Sequence, residues 1–253
     1  MCRRADYEMP LRESEAIVLR SFPMGEADRL VSFLCRTSGR LRGVARGARR
    51  PKSRFGSTLE TMSHIRVWYY ERETRDLVRI GQCELVESFF AAQKDYASTM
   101  ALALVSEVTE SVVPEHEAAD PVFRLILITA RTIQAGSGVW LPVAYFLLWM
   151  VRLAGWLPKL NQCQNCGKAF GEADAFEMMH GELVCRDCRI GGKAIGGEVL
   201  KLGQKIATSK LEEILALKPS VTQLKQLSRY MLDVIERETE RNMGTWKLLE
   251  EAP

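Results

Sequence analysis

No stretch of this 253-residue chain is apolar for long enough to span a bilayer. The longest, Val139 to Val151, runs 13 residues and contains Pro142, which suits a buried helix better than a span of about 20 residues. Met1 to Pro10 is mixed and charged, without the apolar centre of a secretion signal. The seven cysteines are therefore expected as thiols in a reducing cytosol and not as a disulfide scaffold. The pattern G-x-x-x-x-G-K-[ST] is missing, which argues against a P-loop ATPase. Only three histidines occur, none beside a plausible nucleophile. Gly25-Glu26-Ala27-Asp28 offers one pair of carboxylates, whereas a metal-dependent nuclease needs three or more acids converging on its ions. A turn-forming or ion-pairing role fits that pair, and an enzyme is not expected. Repeats and low-complexity segments are also missing.

One absence is local. Between Arg36 and Arg54 there is no acidic residue, although eight basic ones stand there: Arg36, Arg40, Arg42, Arg46, Arg49, Arg50, Lys52 and Arg54. The net charge of the whole chain is only +3, so the positive charge is concentrated here. A solvated surface usually alternates signs; a one-sign stretch repels itself and persists most easily where a polyanion neutralises it. Nucleic-acid binding is the reading that follows, against the plainer alternative of a solvated basic loop.

The first ninety residues have strand character. Ala16–Phe22, Arg29–Cys35, Arg40–Arg46, His64–Tyr70 and Asp76–Val86 are short apolar or β-branched runs separated by turn residues, including the polar turn Glu71–Arg75. Five such strands with a long Gly/Pro/basic connection at 47–57 suit a small barrel. On a strand, residues two apart share a face, so Arg40, Arg42 and Arg46 should project together, with Gly47 to Arg54 following as a mobile loop. Trp68, Tyr69, Tyr70 and Phe55 either add stacking platforms for bases or fill the barrel. Beyond about residue 90 the period changes. Ala101, Leu104, Val105, Val108 and Val112 mark one helix face, Val122–Ile133 and Trp140–Leu153 are interior helices parted by Gly136-Ser137-Gly138, and Leu224 to Ile235 marks a final amphipathic helix. The expected fold class is α+β: a barrel domain over 1–90 and a helical domain over 91–253.

One insert, at about 160–192, breaks the helical half. Cys163-Gln-Asn-Cys166 and Cys185-Arg-Asp-Cys188 are two C-x-x-C pairs with 18 residues between them. Each pair can chelate one ion from a tight turn, and four thiolates are the soft set that tetrahedral Zn2+ prefers. One structural zinc is expected; a metal-free remnant and a redox dithiol are the alternatives, the last weakened by the lack of a βαβ context. Gly167 should let backbone N–H groups reach the sulfurs. Phe170, Phe176 and Leu183 can pack over the site, His180-Gly181-Glu182 suits a hairpin tip, and Cys2, Cys35 and Cys83 read as ordinary small residues.

Taken together, Glu15 to Leu19, Gly25 to Val31, Gly39, Ala45 to Gly56 and Leu59-Glu60 resemble the N-terminal domain of the bacterial RecO family. Leu153-Ala154-Gly155-Trp156-Leu157-Pro158-Lys159-Leu160, followed by Cys163 to Gly167, is similar to the family's entry into its zinc module. The resemblance implies an OB-fold barrel, a helical C-terminal domain and zinc on the four cysteines. It implies a recombination mediator of DNA repair that binds single- and double-stranded DNA and anneals complementary strands. It also implies binding to the tail of the single-strand-binding protein and, with RecR, loading of RecA in the nucleoid-associated cytoplasm. Arg40, Arg42, Arg46, Arg49, Arg50 and Lys52 match the family's DNA-binding positions, and Arg54 extends them. Met1–Met9 reads as an extension, with Met9 as the start. An RNA- or ribosome-binding module is the alternative, because OB-folds also take RNA.

Overall fold

Five antiparallel-prone strands close on themselves in the N-terminal part of the computed structural model, which describes residues 11–71, 76–136, 138–170, 175–178 and 181–252. They are β1 (Leu11–Met24), β2 (Asp28–Cys35), β3 (Gly39–Ala45), β4 (His64–Tyr70) and β5 (Leu77–Glu87). The barrel order is β1-β2-β3-β5-β4, with β1 also paired to β4, and the β3–β5 pairing is parallel. This is the OB-fold topology, and it leaves no open sheet edge. Alternation sets the faces: Ile65, Val67 and Tyr69 of β4 are buried while Arg66 points out. The turn after Glu71, Met9 and Cys2, Ser137 between the second and third helices, and His180 all involve positions outside the described residues.

The 46–63 connection is not the mobile loop that its composition predicts. Phe55, Leu59 and Met62 insert into or against the barrel at 2% exposure or less. Burying each such side chain is worth about 1.5–3 kcal/mol relative to leaving it in water. Successive turns stiffen the backbone, through Arg50 N–H to Gly47 O (3.1 Å), Ser53 N–H to Arg50 O (3.0 Å) and Thr58 N–H to Phe55 O (3.0 Å). The far end joins β1 through Met62 N–H to Val18 O (2.7 Å) and Val18 N–H to Ser63 O (3.0 Å).

The chain divides into two compact units. One comprises residues 1–94 with 109–124; the other comprises 95–108 with 125–253. Helices α1 (Tyr96–Val112) and α2 (Asp120–Gln134) therefore each contribute to both. In the second unit α3 (Trp140–Leu153) is buried along almost its whole length, with Pro142 in its first turn, where its missing N–H costs nothing. It packs on α4 (Gly197–Thr208) and on α6 (Val221–Thr239). Ser220 starts α6 with a reciprocal capping box to Gln223. Two short helices complete the unit, α5 (Leu211–Leu217) and α7 (Thr245–Glu250). The cysteine insert contributes a small sheet, β6 (Ala175–Glu177), β7 (Leu183–Val184) and β8 (Lys193–Ile195), in the order β7-β6-β8.

Candidate nucleic-acid interface and metal centre

The basic stretch divides into two electrostatically different halves. Arg36, Arg40 and Arg42 meet carboxylates of the 109–124 segment. Arg36 donates to Asp120 Oδ1 (2.5 Å) and to Glu15 Oε2 (3.3 Å). Arg40 Nη1 and Arg42 Nε both reach Glu115 Oε1, at 3.0 and 2.9 Å. Arg40 also donates to the carbonyl of Val113 (3.0 Å), and its side chain is only 18% exposed. The hydrogen bond from Arg36 holds the Asp120 carboxyl below its usual range. On β1, Arg20 pairs in the same way with Glu110 (2.5 Å).

The second half is open. Arg46, Arg49, Arg50, Lys52 and Arg54 are exposed, and none has an ion pair to a described carboxylate. Arg46 stands just past the end of β3, where the alternation of burial continues: Leu41, Gly43 and Ala45 are buried and Arg42 and Arg46 are exposed. The Gly25-Glu26-Ala27-Asp28 turn holds this half in place, the turn-forming role expected of it. Asp28 Oδ1 accepts from Gly47 N–H (2.8 Å), Ala27 O from Arg49 N–H (2.9 Å) and Gly25 O from Arg49 Nη1 (2.7 Å). The result is a row of cations on a hydrogen-bonded loop, which lowers the backbone ordering cost a polyanion must meet.

The four cysteines come together. Their Sγ atoms all lie within 4.8 Å of one another, and Cys166 Sγ is 3.7 Å from Cys185 Sγ. Metal–thiolate bonds of about 2.3 Å in a tetrahedron put sulfurs about 3.8 Å apart. The donor set therefore fits a tetrahedral ion with a closed shell. Two matching knuckles build it: Gly167 N–H to Cys163 O (2.9 Å) and Cys188 N–H to Cys185 O (3.1 Å). Gly167 sits at φ +73°, which a side chain would strain. Its own N–H serves a carbonyl, and the backbone amide that approaches a sulfur, as expected beside this glycine, is that of Cys166, 3.5 Å from Cys163 Sγ. Burial pushes the Cys163 thiol up, but amides of Cys166, Cys185 and Asn165 together outweigh it and bring it to about 6. Cys188 is pushed up to about 12 by its neighbouring thiols. A cation resolves that conflict by accepting all four as anions. Phe170, Phe176 and Leu183 are buried, as expected of a cover. Cys35 and Cys83, by contrast, are buried in strands, where burial raises both thiols to about 12 and makes them unreactive.

Comparison with known proteins decides what such a chain is. Residues 9–89 match the family described as "Recombination protein O N terminal", and residues 93–247 match "Recombination protein O C terminal". The chain belongs to the RecO family. The DNA repair protein RecO of Koribacter versatilis is 36% identical over 241 residues, covering 95% of this chain and 98% of that one. That of Syntrophobacter fumaroxidans is 29% identical over 249 residues (96% and 99%), and that of Streptomyces avermitilis 35% over 195 (74% and 78%). Membership assigns the chain to DNA repair and recombination. Among the described residues no helix is long and apolar enough to cross a membrane.

The aromatic residues of this RecO family member sort by strand parity. Tyr69 and Phe55 are each 1% exposed and belong to the barrel core, so neither can stack on a base. Tyr69 instead packs edge-on to Phe33 and donates to Ser38 Oγ (3.1 Å). Trp68 and Tyr70 lie on the outer face and line a cleft with Arg54 and Arg79. Arg79 escaped the sequence reading because it stands alone, outside the basic stretch. Its signal was the alternation with buried Val78 and Ile80.

Proposed function

We propose that this RecO-family chain is a non-enzymatic mediator that binds single- and double-stranded DNA through the loop cations Arg46, Arg49, Arg50, Lys52 and Arg54. One observation carries this: five cations held on a hydrogen-bonded loop with no described carboxylate to neutralise them. Contacts of this kind grip phosphates without reading bases, and two strands bound on such a surface lose the mutual repulsion that opposes annealing. Arg40 and Arg42 belong to the same surface only if DNA displaces Glu115. The barrel domain over 1–90 does the binding. The domain over 91–253 carries the protein contacts, namely RecR and the tail of the single-strand-binding protein, through which RecA is loaded in the cytoplasm. The ion held by Cys163, Cys166, Cys185 and Cys188 is one zinc. It crosslinks an insert whose sheet has only eight residues in strands and too small a core to hold itself.

Reversing three charges together (R46E, R49E and R50E) tests the interface. Affinity for duplex and single strands should collapse. The slope of log affinity against log salt should flatten by about 2.7 for duplex and about 2 for single strands if each residue meets one phosphate. Unchanged affinity at low salt would place the interface elsewhere. Competition between a DNA oligonucleotide and a structured RNA checks the ligand: preference for the RNA would overturn the assignment.

A further inference from the structure

We propose that the outer face of β4 and β5 is a stacking groove for the unpaired bases of single-stranded DNA, with Trp68 and Tyr70 as platforms and Arg54 and Arg79 as phosphate contacts. The inference rests on the DNA-binding reading above and adds to it a second subsite that discriminates single strands from duplex.

The platforms are built, not incidental. Trp68 and Tyr70 are two apart on β4, so both rings leave the barrel on one side. The β4–β5 register slips between Trp68 and Tyr69, whose partners are Gln82 and Ile80, leaving Gly81 as the extra residue of a bulge. A Cβ on Gly81 would lie 3.1 Å from Tyr70 Cε2 and 3.3 Å from Trp68 O, so glycine is what lets the tyrosine ring lie across the strand. Trp68 is oriented by its Nε1–H, which donates to Glu13 Oε2 (3.0 Å). Glu13 is further compensated by Arg66 at 3.5 Å, which limits its repulsion of phosphate. The Arg79 guanidinium lies 5.8 Å from the Tyr70 ring centre, and Arg54 lies 4.8 Å from that of Phe55. Neither arginine has an ion pair to a described carboxylate. The cleft is thus lined by two aromatic rings and two cations, beside Leu11, Gly81 and Gln82.

Two further points favour this ligand. The β2–β3 surface, where OB-folds usually take single strands, is preoccupied here: Glu115 holds Arg40 and Arg42, and Asp120 holds Arg36. Arg54, the last cation of the basic loop, also lines the cleft, so a strand following the loop cations is led toward the rings. Only unpaired bases can offer a free π-face to them; duplex bases are covered by their neighbours.

The test uses the full chain with a labelled oligo-dT and a matched duplex. Trp68→Ala should weaken oligo-dT binding about 5- to 150-fold, the range for loss of one stacked base, and leave duplex affinity within about twofold. Trp68→Phe should restore most of the loss. Arg79→Ala should flatten the oligo-dT salt slope by about 0.7, whereas Trp68→Ala leaves it unchanged. Oligo-dT should also quench the part of the tryptophan emission that Trp68→Phe removes, a readout that needs no destabilising variant. Unquenched Trp68 emission, or oligo-dT affinity in Trp68→Ala within twofold of the parent, overturns the groove; so does equal loss on both probes. If the triple loop variant loses both probes while Trp68→Ala loses neither, the groove fails and the loop interface stands. If the triple variant is silent while Trp68→Ala loses oligo-dT alone, the loop interface fails and the groove stands.

Discussion

Glu115 provides the sharpest single-residue experiment, because one carboxylate oxygen holds two arginines whose part in DNA binding is otherwise ambiguous. The substitution is Glu115→Gln, which keeps the shape and an acceptor but removes the charge. Arg40 and Arg42 lie 3.0 and 2.9 Å from Oε1. At an effective dielectric of about 20 each gross attraction is about 5–6 kcal/mol, but desolvation and solvent screening return most of it. Arg42 is 45% exposed, so its pair falls in the range of about 0–1 kcal/mol. Arg40 is shielded and lies near the top of that range. A net loss of about 1 kcal/mol should lower Tm by about 2–4 °C. The fold should survive, because the segment stays tied to β3 by His116 N–H to Arg40 O (3.2 Å). DNA should bind more tightly at low salt, and the duplex salt slope should steepen by up to about 1.8 if both freed guanidinium groups find phosphates. Fluorescence anisotropy across a salt series reads both quantities. A lowered Tm with unchanged slope and affinity would refute the idea that Glu115 withholds these arginines, and would leave Arg40 and Arg42 as structural cations.

Phe55→Ala should do more than open a cavity. Its loss should cost about 3–5 kcal/mol and free the loop bearing Arg49 to Arg54, seen as a lower Tm together with faster amide exchange across 47–58; a destabilised protein whose loop amides remain protected would count against Phe55 as the loop's anchor. At the metal centre, mass spectrometry under native conditions should find one zinc per chain, and Cys166→Ser should remove it. Acid should also release the metal. Binding the ion must displace thiol protons, that of Cys188 above all, since its neighbouring thiols push it up to about 12. Apparent affinity should therefore fall steadily as pH drops from about 8 to about 5, and an affinity that does not change over that range would refute the thiolate assignment.

Much of this protein could be read along the chain because the controlling interactions are local. Short apolar and β-branched runs parted by turn residues located all five barrel strands, since both strand and turn preferences act over a few neighbouring residues. The two C-x-x-C pairs announced their own site, because a two-residue spacing is itself the chelate geometry. Along the chain the four aromatics Trp68, Tyr69, Tyr70 and Phe55 stay undivided between platforms and core, although the outward parity of Arg66 goes with Trp68 and Tyr70 outside and Tyr69 within. What the sequence could not show was which arginines remain free. Charge density along the chain treats Arg40 and Arg50 alike, yet Glu115, more than seventy residues after Arg40, neutralises one and leaves the other open. Whether a side chain is paired depends on what the fold brings within about 4 Å of it, and only the folded barrel unit settles that. The stiffness of the basic loop was hidden for the same reason. Its composition is that of a mobile segment, and it became a fixed surface because Phe55 and Leu59 found a barrel interior to enter.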